Sequence, residues 1–172
     1  MKKLVLFAAA LAASPAAADV KSATPAGFEV ESRVTVPVPP AEAYAALGRI
    51  GEWWNPAHTY SGKAANLRLD LKVGGCFCET TDGGGAIEHL RVVYAQPGTM
   101  LRLQGGLGPL QAEGVAGTLT WTLKPVAGGT EIVQSYVVGG YVRGGTEKLA
   151  SPVDQVMSEQ LERYRSRLVG GR

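Results

Sequence analysis

Both cysteines of the chain, one of its two histidines and two glutamates fall between Gly74 and Arg91. The run Gly74-Gly75-Cys76-Phe77-Cys78-Glu79 leads through Asp82-Gly83-Gly84-Gly85 into Ala86-Ile87-Glu88-His89-Leu90-Arg91, so the segment reads as a hairpin. Three chemistries could arise from it. Thiolate and imidazole suit zinc or copper, which would join Cys76, Cys78 and His89, with Glu79, Glu88 or His58 as further ligands. That set has no firm fourth ligand, so no metal and no other cofactor is assigned. Glu79 and Glu88 could form an acid–base pair, because two carboxylates sharing an apolar cavity cannot both ionise cheaply and one would stay protonated. His58 is the other candidate base; a lone loop histidine beside tryptophans also fits a hydrogen-bonded structural residue. The third chemistry is a disulfide. In a flat strand, residues i and i+2 have Cα atoms roughly 6.5–7 Å apart, at or beyond the usual limit for a bridge. Free thiols are therefore expected, and a bridge would need a bulge promoted by Gly74-Gly75.

Which of these residues can meet depends on strand register. Pairing Tyr94 with Leu101 and Val92 with Leu103 across the Gln96-Pro97-Gly98-Thr99 turn puts Leu90, Val92 and Tyr94 on the concave face. Strict alternation then adds Glu88. Setting Phe77 opposite Leu90 turns Phe77 and Glu79 inward, leaving Cys76, Cys78, His89 and Arg91 on the convex face. A one-residue slip would reverse part of this assignment.

The elements around the hairpin are mostly strands. Residues 28–36 and 66–73 alternate apolar with polar side chains, the latter most clearly through Leu67, Leu69, Leu71 and Val73. Further strands are expected at 91–95, 100–105, 118–124 and 130–138, giving about seven in an antiparallel sheet. Pro40 to Leu47 predicts a short helix, and Ile50 to Pro56 a second helical turn. Gly139-Gly140 and Gly144-Gly145, flanking Tyr141 and Arg143, predict a flap. Ser151 as N-cap and Pro152 at the first helical position then open a long helix, with Val153, Val156, Met157, Leu161, Tyr164 and Leu168 on one stripe.

The first 18 residues have a positive start at Lys2 and Lys3, an apolar run from Leu4 to Ala13 and small residues at Ala16-Ala17-Ala18, the pattern of a signal peptide. The run is shorter than the roughly 20 residues needed to span a bilayer, so no stable membrane insertion is expected after cleavage. A periplasmic or secreted location follows, with residues 19–27 as a small, polar linker and residues 28–169 as a single domain. Without Lys2 and Lys3, the 17 basic residues fall to 15, matching 15 acidic ones. No basic block points to nucleic acid. Gly83-Gly84-Gly85 lacks the lysine and helix of a phosphate-binding loop, so no nucleotide is expected.

The order of strand, two short helices, six strands and a long C-terminal helix resembles the helix-grip fold of the START-like, SRPBCC superfamily. It looks most like the activator-of-heat-shock-ATPase-like and polyketide-cyclase-like branches. The resemblance rests on Trp53-Trp54-Asn55-Pro56, Asp70, Gly74-Gly75-Cys76-Phe77, Asp82-Gly83 and the strand from Val92 to Pro97. It implies an α+β domain whose curved antiparallel sheet wraps the C-terminal helix, with room for a ligand between them. Trp53, Trp54, His58, Tyr60, Phe77, Glu79, Glu88, Leu90, Trp121, Tyr136 and Tyr141 are the expected lining of that space. The expected function is binding of a small hydrophobic or amphipathic ligand. A cyclase, isomerase or hydrolase using Glu79, Glu88 or His58 is the alternative, and an interaction module with a filled core is the third reading.

Overall fold

The computed structural model describes residues 17–170. The expected signal segment lies outside the described residues except for Ala17 and Ala18. Strands β1 (Ala17–Thr24) and β2 (Gly27–Val36) are followed by helix α1 (Pro40–Leu47) and three 3-10 turns at Ile50–Glu52, Pro56–His58 and Ala64–Asn66. Then come β3 (Leu67–Leu69), β4 (Cys76–Thr80), β5 (Ala86–Gln96), β6 (Met100–Gln104), β7 (Gly114–Val126), β8 (Gly129–Tyr141) and helix α2 (Glu147–Gly170). All eight strands form one antiparallel sheet in the order β1-β2-β8-β7-β6-β5-β4-β3. This is the expected helix-grip arrangement. No helix among the described residues is long and apolar enough to cross a membrane.

The inner face of the sheet buries Phe28, Val30, Leu119, Trp121, Ile132 and Tyr136, and α2 contributes Met157, Leu161 and Tyr164. A buried polar chain ties the two layers. Trp121 Nε1 donates to Gln134 Oε1 at 2.8 Å, and Gln134 Nε2 donates to Met157 O at 2.8 Å. Each of these groups is out of water and would be costly to leave unpaired. Tyr164 Oη likewise donates to Ala43 O at 2.6 Å, fixing α1 to α2.

Four local expectations differ from the structure. Residues 19–24 are part of β1, not a linker, and pair with β2 through Val20 opposite Val30. A ladder of backbone hydrogen bonds needs no apolar period, so a strand of small polar residues leaves little trace in the sequence. The strand expected over 66–73 stops at Leu69, because Asp70 O accepts from Lys72 N–H at 2.8 Å and Lys72 O from Gly75 N–H at 2.7 Å. Gly75 is needed in that turn, since a Cβ there would lie 2.2 Å from Asp70 O. Helix α2 begins at Glu147, so Ser151 is not its cap and Pro152 sits within the helix. Finally, β8 continues through Gly139 and Gly140 to Tyr141, where a flap was expected.

Candidate functional site

Glu79 points inward from β4 and is fully buried. The loop after the Pro56–His58 turn wraps over it: Tyr60 N–H donates to Oε2 at 3.1 Å and Ser61 N–H to Oε1. His89 Nε2 lies 3.0 Å from Oε2. Burial pushes the carboxyl group up, but the hydrogen bonds from Ser61, Tyr60 and His89 outweigh it and hold the group below its ordinary value of 4.5. Glu79 is therefore ionised. A carboxylate can only accept, so His89 carries its proton on Nε2. Burial lowers the His89 imidazole below its ordinary 6.5, and its interaction with Glu79 offsets this only in part.

The pair is neutral imidazole beside carboxylate, with Nδ1 free to accept. Nδ1 has no hydrogen-bond partner among the described residues. The imidazole ring stands 4.9 Å from Phe77 and 5.9 Å from Tyr60, centroid to centroid, and Trp54 packs on Phe77 at 5.3 Å. Together they form one wall of a cavity of about 540 Å³ between the sheet and α2. The opposite wall is Leu149, Pro152, Val153, Val156 and Met157 of α2, and Leu107 to Leu110 close one end. Tyr60 Oη donates to Gly108 O at 3.0 Å, which joins the two loops over the space. Tyr136 Oη accepts from Leu107 N–H and donates to Gly105 O, both at 3.1 Å. Burial keeps that phenol protonated, pushed up to about 12. The walls are chiefly apolar and the polar handles few, which is the composition of a small-molecule pocket. The space between sheet and α2 is not filled by side chains.

Of the expected lining, Trp54, His58, Tyr60, Phe77 and Tyr136 face the cavity, and Glu79 lies behind its wall. Leu90 is buried without reaching the cavity surface. Trp53 packs against Tyr164 at 5.4 Å, Trp121 is in the core, and Tyr141 is 71% exposed at the end of β8. His58 sits at the margin with Nε2 3.3 Å from Glu159 Oε2.

The largest correction concerns Glu88 and His89. Glu88 is exposed and paired with Arg91, whereas His89 is 6% exposed and faces in. The reason is a bulge: Phe77 pairs with Leu90 as expected, but Cys78 pairs with Glu88, so His89 is the extra residue on β5. A second irregularity between Val92 and Tyr94 puts Arg102 opposite Tyr94 and turns Tyr94 outward. Strict alternation cannot anticipate such insertions. The expected carboxylate pair therefore does not form, and Glu79 is ionised where a protonated acid was considered.

Cys76 and Cys78 form a disulfide with Cα atoms 5.3 Å apart, against the expectation of free thiols. The bulge lies on the facing strand β5, at His89, and not at Gly74-Gly75, where a bridge was expected to need it. His89 lies on the other face from the two sulfurs, so the Cys76, Cys78 and His89 metal set does not assemble. The group that does converge is Cys76, Cys78 and Glu88, and its sulfurs are spent on each other.

Sequence reading missed His89 as a cavity residue because of the bulge. Val153, Val156 and Met157 stand on the expected apolar stripe of α2 but are absent from the expected cavity lining, because apolar periodicity does not say whether the facing volume is filled. Leu107, Pro109 and Leu110 also line the cavity, and the apolar residues of this Gly- and Pro-containing segment are the signal that it covers something.

Residues 27–169 match the family described as polyketide cyclase/dehydrase and lipid transport. No curated protein matches the chain. Among solved structures, a Rhodobacter sphaeroides protein is 19% identical, with 91% of this chain and 100% of that one aligned at a TM-score of 0.57. CalU16 from Micromonospora echinospora is 15% identical over 84% of this chain and 76% of its own, at a TM-score of 0.58. DynU16, from the dynemicin biosynthetic locus, is 18% identical over 84% of this chain and 48% of its own, at 0.59. At these identities the structures speak for the fold. With the family match spanning nearly all of the described residues, the chain belongs to the polyketide cyclase/dehydrase and lipid transport family of the SRPBCC superfamily.

Proposed function

We propose that this family member is an exported protein that takes a small hydrophobic or amphipathic molecule into the cavity between its sheet and α2. The carrying observation is an apolar space of about 540 Å³ with the acceptor nitrogen of His89 on its wall. That volume falls within the roughly 300–1,000 Å³ of ordinary ligand sites. The handle selects among ligands. A hydroxyl, phenol or enol can donate to Nδ1, whereas a carboxylate would bring a second negative charge close to buried Glu79. Export is supported by the N-terminal pattern and by a disulfide, which persists in an oxidising compartment.

A probe pair tests this reading: 2-naphthol, which can donate, and naphthalene, which cannot. Both should bind saturably, 2-naphthol more tightly, and Val156→Trp should abolish both by filling the space. Native mass spectrometry of protein recovered from its own compartment should show an apolar adduct. Absence of saturable binding together with a bare mass would overturn the reading.

A second reading is favoured by the Glu79–His89 contact itself. A neutral imidazole held by a carboxylate in a largely apolar site is the arrangement of a general base, so the same cavity could support proton abstraction from a bound carbonyl compound. His89→Asn would then abolish turnover of a processed ligand while naphthalene still binds. Equal turnover by that variant would remove His89 from the chemistry.

A further inference from the structure

We propose that the Cys76–Cys78 disulfide positions the Glu79–His89 pair: closed, it holds the bulge that delivers His89 to the cavity, and open, it releases that residue. This rests on the cavity being the ligand site.

The argument begins with chain length on two neighbouring strands. Cys76 pairs with Arg91 and Cys78 with Glu88, so three residues of β4 face four of β5. The bridge draws the Cys76 and Cys78 Cα atoms to 5.3 Å, where a flat strand would separate them by roughly 6.5–7 Å. Shortening β4 and adding a residue to β5 act in the same sense. Both bend the pair within the plane of the sheet, with β5 on the longer outer path.

Side-chain directions follow from this bend. In a regular strand, residues i and i+3 point to opposite faces. Here Glu88 and Arg91 are both exposed and form an ion pair, and Arg91 Nη1 also donates to Gly74 O at 2.8 Å. Between them, His89 and Leu90 are both buried. Remove the extra residue, with Phe77 kept opposite Leu90, and Cys78 would face His89; alternation would then send Glu88 inward and His89 outward. Glu79 would lose its third donor and the cavity its acceptor nitrogen. Phe77, between the two cysteines, packs on the His89 ring at 4.9 Å, so the pinched segment touches the residue it positions.

The opening step is thiol–disulfide exchange with an external dithiol. A dithiol thiolate attacks one sulfur and the Cys76–Cys78 bond breaks. The second dithiol sulfur displaces the mixed disulfide, and two electrons and two protons end on the protein as two thiols, while the dithiol becomes a disulfide. The reverse reaction closes the bridge. A chain in a reducing compartment would therefore carry the cavity without a fixed His89, and oxidation would complete the site.

The test compares oxidised protein, dithiol-reduced protein and the Cys76→Ser/Cys78→Ser variant. The imidazole signals are followed by nitrogen-15 NMR as a function of pH, and the His89 signal is assigned by its loss in His89→Asn. Oxidised protein should show His89 as the Nε2–H tautomer, titrating below 6.5. Opening the bridge should return the titration toward the ordinary value and reduce 2-naphthol affinity roughly ten-fold, the scale of one lost hydrogen bond. Naphthalene affinity should hardly change, and reoxidation should restore the first state. If the double variant does not fold, reduced wild-type protein supplies the comparison. An unchanged His89 titration in folded, reduced protein overturns the proposal, even where 2-naphthol binds. A redox-dependent titration in a protein that binds neither probe supports the positioning role and sinks the cavity reading instead.

Discussion

Strands β7 and β8 pair without interruption from Gly114 opposite Tyr141 to Val126 opposite Gly129. Strands β4 and β5 manage five pairs and shift register between the second and third. The regular pair turns Leu119, Trp121, Leu123, Ile132 and Tyr136 inward and builds core. The irregular pair turns in an ionised glutamate and a histidine. A ladder in register repeats one environment every second residue, which suits packing. A bulge breaks the repeat and can place a polar side chain where alternation would put none, which suits a site. The same sheet thus divides its work between strands that obey the period and strands that depart from it.

Substitutions at the two pairs should therefore fail in different ways. Trp121→Ala in the regular pair should cost about 3–5 kcal/mol of stability through a cavity and an orphaned Gln134, as denaturant unfolding will show. Naphthalene binding by the molecules that remain folded should persist. Glu79→Gln in the irregular pair should cost less, about 2–3 kcal/mol, because one acceptor oxygen must serve three donors. It should also change the His89 titration, which Trp121→Ala should leave alone.

Acid should act on the irregular pair first. The folded-state values of His89 and Glu79 both lie below their ordinary 6.5 and 4.5, so the unfolded chain binds each proton at higher pH than the folded one. Their stabilising contribution is complete above about pH 6.5 and is lost as pH falls, first through His89 and then, below about 4.5, through Glu79 as well. Melting temperature against pH should show the upper step in wild-type protein and lack it in His89→Asn. A stability that rises on acidification from pH 7 to 5 would contradict the assignment. The smallest effect is expected where β8 ends: Tyr141→Ser should change stability by less than about 0.5 kcal/mol and leave both probe affinities unaltered.

Much of the fold was legible because apolar periods fixed it. Phe28 to Val36, Leu119 to Leu123 and the stripe from Val153 to Leu168 each announced an element and its buried face. Strand β1 was not, since its small and polar residues carry no apolar period and its ladder is made by backbone groups. The candidate site was only partly legible. Trp54, His58, Tyr60, Phe77 and Tyr136 were expected at the cavity and line it, while Trp121 and Tyr141 show that aromatic character does not decide between core, cavity and solvent. Glu79 faces inward as expected, but it meets His89 and not Glu88.

By itself, then, the sequence determined the antiparallel sheet, the long covering helix and the inward face of most strands, because each follows from side-chain period over a few neighbouring residues. Tertiary structure decided the bridge between Cys76 and Cys78, the extra residue on β5 and the meeting of Glu79 with His89. Those depend on how many residues each of two strands spends on the same distance, and that number is set only when the strands pair.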